Sequence, residues 1–248
     1  MKEVTVAIIG CGRIAEHHCR SMLRIPSIRL VAVCDLIEYK AKKISRSYNV
    51  PWYVNYRKML KDNPDINTVA IITPSGMHYE HSIEMLRDYK KNIIVEKPTF
   101  MNPDELNLAY MEADKNNLKI FPVFQNRYNK AVSFVKESII NRDLGDIRTI
   151  SVRAQWCRTQ DYYELAPWRG TFSHDGGALA NQGIHHVDLL RYFGGEVDKV
   201  NCIMRTLGVD VEVEDTIVST CAYDNSSVAT LEVTTAARPE NFEASITI

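Results

Sequence analysis

Gly10, Gly12 and Ala15 stand in the spacing G-x-G-x-x-A, behind the apolar run Val4 to Ile9 and ahead of a helical stretch. Residues of these types in this order can cradle a dinucleotide. The first glycine permits the tight turn out of a strand, and the second lets the backbone approach a pyrophosphate. The small third residue lets the helix pack closely on the sheet. The helix start, with Arg13 and Ile14, offers N–H groups and a partial positive charge to the diphosphate. Asp35 closes a second apolar run, Leu30 to Cys34, where a carboxylate accepts hydrogen bonds from ribose hydroxyls. Glycines also mark ordinary turns, but here a strand precedes, a helix follows and an acid ends the next strand. A 2′-phosphate beside Asp35 would meet a like charge, and Leu36 follows it rather than an arginine. The spacing therefore predicts NAD in preference to NADP.

Such a loop works only at the carboxyl edge of a sheet, and the first half of the chain supplies one. Strands are predicted over 4–9, 29–35, 68–72, 92–95 and 119–124. Helices are predicted over 14–24, 38–48, 56–61, 79–87 and 103–116, the last with Asn102 as N-cap and Pro103 in its first turn. Continuous apolar strands such as 68–72 are those of a sheet buried on both faces. Strict alternation of strand and helix predicts an α/β fold, a doubly wound parallel sheet with right-handed crossovers. Ligands then lie at the strand ends, where the sequence places Gly10, Asp35, Thr73 with Pro74, Glu96, Lys97 and Gln125.

The pattern changes near residue 123. A helix over 131–141, capped by Asn129, precedes a half-exposed strand over 146–156. A helix over 187–192 and strands over 197–206, 216–223 and 227–235 follow at hairpin spacing. This predicts two domains: 1–123, which binds the dinucleotide, and 124–248, built on a mostly antiparallel open sheet. The alternation from Ala244 to Ile248 breaks off within a strand, so a C-terminal part of the natural protein is expected beyond it.

Composition excludes several classes. Hydrophobic residues make up 45% of the chain, the net charge is −1 and the pI is about 6.7, which gives no nucleic-acid footprint. No apolar stretch approaches the ~20 residues of a membrane span. The run 4–9 is too short for a signal peptide and leads straight into the glycine loop. Six cysteines (Cys11, Cys19, Cys34, Cys157, Cys202 and Cys221) are scattered without C-x-x-C, as reduced thiols of a cytoplasmic protein would be. His17, His18, His81 and His174 share no ligand spacing with them, so no metal is expected.

Two further motifs join the glycine loop: Val95-Glu96-Lys97-Pro98, and the run from Gly176-Gly177 through Asn181-Gln182-Gly183 to His185-His186-Val187-Asp188. Together they resemble the glucose-fructose oxidoreductase, inositol dehydrogenase and rhizopine catabolism (Gfo/Idh/MocA) family of nicotinamide oxidoreductases, over nearly the whole chain. The resemblance implies a Rossmann domain followed by an α/β domain. The open sheet of that second domain often forms the oligomer interface, so a homo-oligomer, dimer or tetramer, is expected. It also implies that Lys97, Asn181 and His185 line the catalytic pocket. Asn181 departs from the commoner aspartate, and an amide cannot accept a proton, so it can only orient substrate or His185. The segment Gln125 to Asn129 and the pair Asn181-Gln182 resemble a narrower subgroup. Its members oxidise the 3′-hydroxyl of UDP-N-acetylglucosaminuronate, on the way to diaminated uronic acids of bacterial polysaccharide.

Oxidising a secondary alcohol by hydride transfer requires an aligned C–H bond, loss of the hydroxyl proton and exclusion of water. A lysine ordinarily titrates near ~10.4 and is a poor base at neutral pH, whereas its ammonium form stabilises a developing alkoxide. A histidine, near ~6.5, is matched to take the proton. His185 is thus expected as the base and Lys97 as the polarising group, with the reverse assignment open. Taken alone, His185 reads as a capping or core histidine, and only the resemblance moves it to the pocket. His186 points to another helix face.

Arg127, Arg158 and Arg169 have the fork geometry for a diphosphate or a uronate carboxylate, though each alone reads as a solvated arginine. Tyr162-Tyr163 and Trp168-Arg169-Gly170 lie in a stretch without periodicity that either covers a substrate or packs on the sheet. Tyr163, Arg127, Arg169 and Asn181 are the expected substrate contacts. His78, in T-P-x-x-x-H, shapes the cofactor pocket or packs at a helix start. The functions these readings leave open are a sugar or sugar-nucleotide dehydrogenase, an inositol dehydrogenase, a ketone or imine reductase on the same scaffold, and a non-catalytic NAD-binding regulator.

Overall fold

The computed structural model describes residues 3–248, which divide into two compact units, one ending at Val123 and the other Phe124–Ile248. The first unit runs β1 (Val4–Ile9), α1 (Ala15–Leu23), β2 (Ile28–Cys34), α2 (Glu38–Tyr48), β3 (Trp52–Tyr53), α3 (Tyr56–Asp62), β4 (Thr68–Ile71), α4 (His78–Arg87), β5 (Asn92–Val95), α5 (Pro103–Lys115) and β6 (Ile120–Pro122). Its strands are all parallel, in the order β3-β2-β1-β4-β5-β6. The order reverses between β1 and β4, and an open α/β sheet binds its ligands at that switch point.

Period-two alternation splits the core into two layers. Val6 and Ile8 face Ala15, Cys19 and Met22 of α1 and Ala41 and Ile44 of α2. Ala7 and Ile9 face Met59, Met85, Leu86 and Ala109 from α3, α4 and α5. Burial on both faces is why these strands read as continuous apolar runs. Caps fix several helix starts. Asn102 Oδ1 accepts the Asp104 N–H at 2.9 Å, and Asn55 Oδ1 accepts from Arg57 and Lys58. A cap of this kind is worth ~1 kcal/mol.

The second unit runs α6 (Lys130–Ile140), β7 (Thr149–Gln155), α7 (Gln160–Glu164), a π-helical turn (Ala178–Gly183), α8 (Ile184–Gly194), β8 (Val197–Arg205), β9 (Thr216–Tyr223), β10 (Val228–Thr234) and β11 (Glu243–Thr247). Its sheet order is β11-β7-β10-β9-β8, with β7 and β10 parallel and the other neighbours antiparallel. One face is the core: Ile150, Val152, Ile217, Leu231 and Val233 pack under Leu189, Leu190 and Phe193 of α8. On the other face Thr149, Arg153, Val218, Thr220, Val228 and Thr230 are exposed. The alternation over Thr149–Gln155 has this one-sided burial as its cause. The α/β class, the parallel first sheet and the mostly antiparallel second sheet are as the sequence predicts. Its predicted elements did not include the two-residue β3, the short α7 or the π turn.

Candidate functional site

The glycine loop joins β1 to α1, and its geometry explains its residue types. Gly10 has φ +99°, and a Cβ there would run into the Ile72 carbonyl at the end of β4. At Gly12 a Cβ would meet nothing within 4 Å, so the backbone lies open to an approaching group. No side chain caps α1, which leaves its start available to an anion. Asp35 follows β2 and is held by two backbone donors, Cys11 N–H at 2.7 Å and Ile37 N–H at 2.8 Å. An ionised carboxylate has about four acceptor positions, so it keeps capacity for ribose hydroxyls. These residues fit a dinucleotide.

Cys11, inside the loop, is buried, and burial first and the Asp35 charge second push its thiol up to about 12. Burial likewise pushes Cys34 to about 12 and Cys19 to about 11. These thiols stay protonated and inert. All six cysteines are free among the described residues. No cluster among those residues could hold a metal ion, and no helix is long and apolar enough to cross a membrane.

Glu96-Lys97-Pro98 leaves the end of β5. His18 Nε2, from α1, lies 2.7 Å from Glu96 Oε1, and the Lys97 N–H donates to Glu96 Oε2 at 3.0 Å. Burial raises the Glu96 carboxyl, but the His18 bond and charge, with the Lys97 amide, outweigh it and hold the group below its usual value. His78 is 1% exposed, and its ring nitrogens lie 2.8 Å from the Pro98 carbonyl oxygen and 2.9 Å from that of Thr73. A neutral imidazole has one N–H and donates to one of them. Burial lowers the His78 pKa, which favours that neutral ring. His78 thereby bridges the loops after β4 and β5. The Thr73 hydroxyl meets His81 Nδ1 at 3.2 Å, and Pro74 leads into the turn that starts α4.

In the second unit, His185 lies in the first turn of α8. Gln125 Nε2 stands 3.3 Å from His185 Nε2, and since an amide N–H only donates, that ring nitrogen is the acceptor. Arg127 forks onto Asp188, with Nε at 2.8 Å from Oδ2 and Nη2 at 2.5 Å from Oδ1. Asp188 is three residues from His185 on the same helix, so this bidentate pair ties the turn Gln125–Tyr128 to the helix that carries His185. His186 turns inward, edge-on to Trp156 at 5.6 Å, and burial lowers its pKa.

The stretch after α7 is a hydrogen-bonded loop. Tyr162 Oη accepts from Gln182 Nε2 at 2.9 Å and from Arg169 Nη1. The Arg169 guanidinium stacks on Tyr162 at 4.3 Å and on Trp168 at 4.7 Å. Tyr163 is 6% exposed, and its hydroxyl meets Thr235 Oγ1 at 3.0 Å. Of the tyrosine pair, Tyr162 therefore joins Arg169, while Tyr163 is a core residue. Arg158 lies over Trp156 and Tyr162.

Asn181 lies in the π turn and donates from Nδ2 to Asp175 Oδ1, while Gly170 N–H donates to Asp175 Oδ2 at 2.9 Å. Gly177, at φ +95°, has no room for a Cβ because the Glu214 carboxylate lies against it. Glu214 also accepts the Leu179 N–H at 3.0 Å. Sequence reasoning did not single out Asp175 or Glu214, and took Gln182 only as part of the Asn181-Gln182 pair. The one available signal was Asp175 directly before Gly176-Gly177, an acid at a turn with no spacing signature.

The family described as "Oxidoreductase family, NAD-binding Rossmann fold" matches residues 4–124, and the GFO/IDH/MocA C-terminal domain matches residues 132–248. The WlbA dehydrogenase from Chromobacterium violaceum, in complex with NADH and UDP-GlcNAcA, is 32% identical with a TM-score of 0.95, over 99% of this chain and 71% of that one. The WlbA dehydrogenase from Bordetella pertussis, also with NADH and UDP-GlcNAcA, is 29% identical with a TM-score of 0.94, over 99% and 75%. The scyllo-inositol 2-dehydrogenase (NAD(+)) of Bacillus subtilis is 27% identical over 202 residues, 80% of this chain and 56% of its own length. The chain spans only part of each of these relatives.

Proposed function

The chain belongs to the Gfo/Idh/MocA family of oxidoreductases, and from that premise we propose that it is an NAD-dependent dehydrogenase acting on the C3′ hydroxyl of UDP-GlcNAcA. What carries the reading is its likeness, over 99% of its length, to two dehydrogenases crystallised with NADH and that sugar nucleotide. The first unit is an NAD-binding Rossmann domain. Gly10, Gly12, Arg13 and Ile14 form the diphosphate loop, and Asp35 takes the ribose hydroxyls. Thr73, Pro74, His78 and Glu96 shape the strand ends that follow. NAD, when bound, supplies the hydride acceptor.

The chain's own residues handle the proton and the oxygen. His185 takes the hydroxyl proton on Nε2, where the substrate hydroxyl replaces the Gln125 amide as the donor to that nitrogen. Lys97 donates to the substrate oxygen and stabilises the developing alkoxide. Asn181 orients the substrate, and Arg169, backed by Tyr162, meets the uronate carboxylate. Arg127 and Tyr163, engaged by Asp188 and Thr235, serve as frame for these groups. The second unit further associates with a second copy through its open sheet face, where Val218 and Val228 are exposed among threonines. The free thiols suit the reducing cytoplasm.

A thermal-shift series tests the substrate. Stabilisation follows RT ln(1 + [L]/Kd), so NAD alone raises the midpoint, and UDP-GlcNAcA with NAD raises it further. A further rise with inositols and none with UDP-GlcNAcA would move the substrate to that branch of the family.

A further inference from the structure

Arg127, Arg158 and Arg169 read alike in the sequence, and the structure separates them. Arg127 spends its charge on the bidentate pair with Asp188. Arg158 and Arg169 have no carboxylate at ion-pair distance among the described residues, and Glu164, Asp210 and Glu212, which line the cavity beside Arg169, stay outside that reach. Both arginines are nonetheless held. The Arg158 guanidinium lies 5.3 Å from the ring centres of Trp156 and of Tyr162, and its Nη1 donates to the Cys157 carbonyl at 2.7 Å and to Asn241 Oδ1 at 3.2 Å. Its main-chain N–H donates to the Thr235 carbonyl at 2.8 Å, which anchors the segment between β7 and α7 beside the end of β10. The Arg169 guanidinium lies 4.3 Å from the same Tyr162 ring, and its buried Nε has no acceptor. Two guanidiniums thus share one aromatic ring. The ring offsets part of their charge, but no acid neutralises either. A fixed pair of like charges with donors to spare is an arrangement that an anionic ligand completes.

We propose that Arg158 is a specificity-determining residue of the substrate site, taking the diphosphate of the sugar nucleotide while Arg169 takes the uronate carboxylate. This inference rests on the dehydrogenase reading above. In a nucleotide-linked uronic acid the carboxylate hangs from C5 and the diphosphate from C1. These two carbons flank the ring oxygen, so both anions lie along one edge of the sugar. Two guanidiniums that share the Tyr162 ring give each anion its own fork. With Nη1 of Arg158 engaged by Cys157 and Asn241, its Nε and Nη2 present the side-by-side N–H groups that match two phosphoryl oxygens. An inositol carries neither anion and leaves both cations uncompensated, so the pair selects against it.

Calorimetric titration of the full chain, with NAD present, separates the two forks. The probes are UDP, which has the diphosphate and no uronate, and UDP-GlcNAcA, which has both. Arg158→Gln weakens both ligands about tenfold, whereas Arg169→Gln weakens UDP-GlcNAcA about tenfold and leaves UDP within about twofold. Arg158→Lys keeps the charge and loses the fork, so UDP weakens about threefold, a partial loss that a merely unfolded variant would not show. NAD carries a diphosphate of its own, assigned above to the glycine loop, so its affinity holds within about twofold in every variant. In turnover, Arg158→Gln raises KM for UDP-GlcNAcA about tenfold with kcat within about twofold, since the diphosphate is bound alike in ground and transition states. UDP affinity unchanged in Arg158→Gln, UDP weakened equally by Arg169→Gln, or NAD lost with Arg158 would each overturn the proposal, as would a parent that binds no UDP. If the parent binds UDP through Arg158 but turns over no UDP-GlcNAcA, the dehydrogenase reading fails while the diphosphate site stands.

Discussion

Glu96 and Glu214 are both carboxylates largely withdrawn from water, and burial by itself pushes both pKa values upward. They end on opposite sides of the ordinary value. Glu96, in the first unit, has His18 on one oxygen and the Lys97 amide on the other, and is held down. Glu214, in the second unit, has the Leu179 amide but also Asp175 and Asp215 nearby, and stays raised. Partners, not depth alone, decide which way a buried acid shifts. The first unit thus fixes a negative charge beside Lys97. The second gathers acids around the Gly176-Gly177 turn, where backbone donors hold them and Asp175 and Asp215 add to the rise at Glu214.

The contrast breaks most readily at its paired end. His18→Leu leaves Glu96 with one donor in a site about 12% open, at a cost of about 2 kcal/mol in unfolding free energy by urea titration. A second loss of equal size when Glu96→Gln is added would show the two residues to be uncoupled, against this account.

Acid titration comes next in size, and its sign differs between the two residues. Glu96 has a depressed folded pKa, so its contribution is present above the unfolded value of ~4.3 and is lost as pH falls through the folded one. His78, His81 and His186 are kept neutral by burial, so their contribution is whole above ~6.5 and is lost as pH falls below it. Glu214 runs the other way. Its folded pKa is raised, so stability is lost as pH rises from the ordinary carboxyl value through the folded one. Glu214→Gln keeps an acceptor for Leu179 without the charge. After allowance for solvent screening it raises the midpoint at neutral pH by about 1–2 °C. A lowered midpoint would show that the charge is needed there.

The same division governs what the sequence makes legible. The helix Glu38–Tyr48 and the strands Asn92–Val95 and Thr216–Tyr223 follow from local periodicity and match to the residue. In the first unit the candidate site residues sit where strands end, so Gly10, Asp35 and Glu96 can be found by reading along the chain. In the second unit the site is made by contacts between distant segments. Leu179 meets Glu214 across 35 positions, and Tyr162 meets Gln182 across 20. No local pattern encodes such pairs, which is why Asp175 and Glu214 are not legible in the sequence and why the pair Tyr162-Tyr163 cannot be divided there into a loop residue and a buried one. The π turn Ala178–Gly183 was hidden for a related reason. Its flanking glycines look like an ordinary break, and only the packing of Gly183 on Val233 shows why the chain stays coiled there.

The reading of the chain as a sugar-nucleotide dehydrogenase is tested most directly by turnover. Purified protein is mixed with NAD and either UDP-GlcNAcA, UDP-GlcNAc or an inositol, and the near-ultraviolet absorbance of reduced nicotinamide is followed, for the parent and for Lys97→Ala and His185→Ala. The account predicts cofactor reduction with UDP-GlcNAcA alone, cut at least ~100-fold in either variant. Reduction with the inositol and not with UDP-GlcNAcA, or turnover that survives both substitutions, would contradict it.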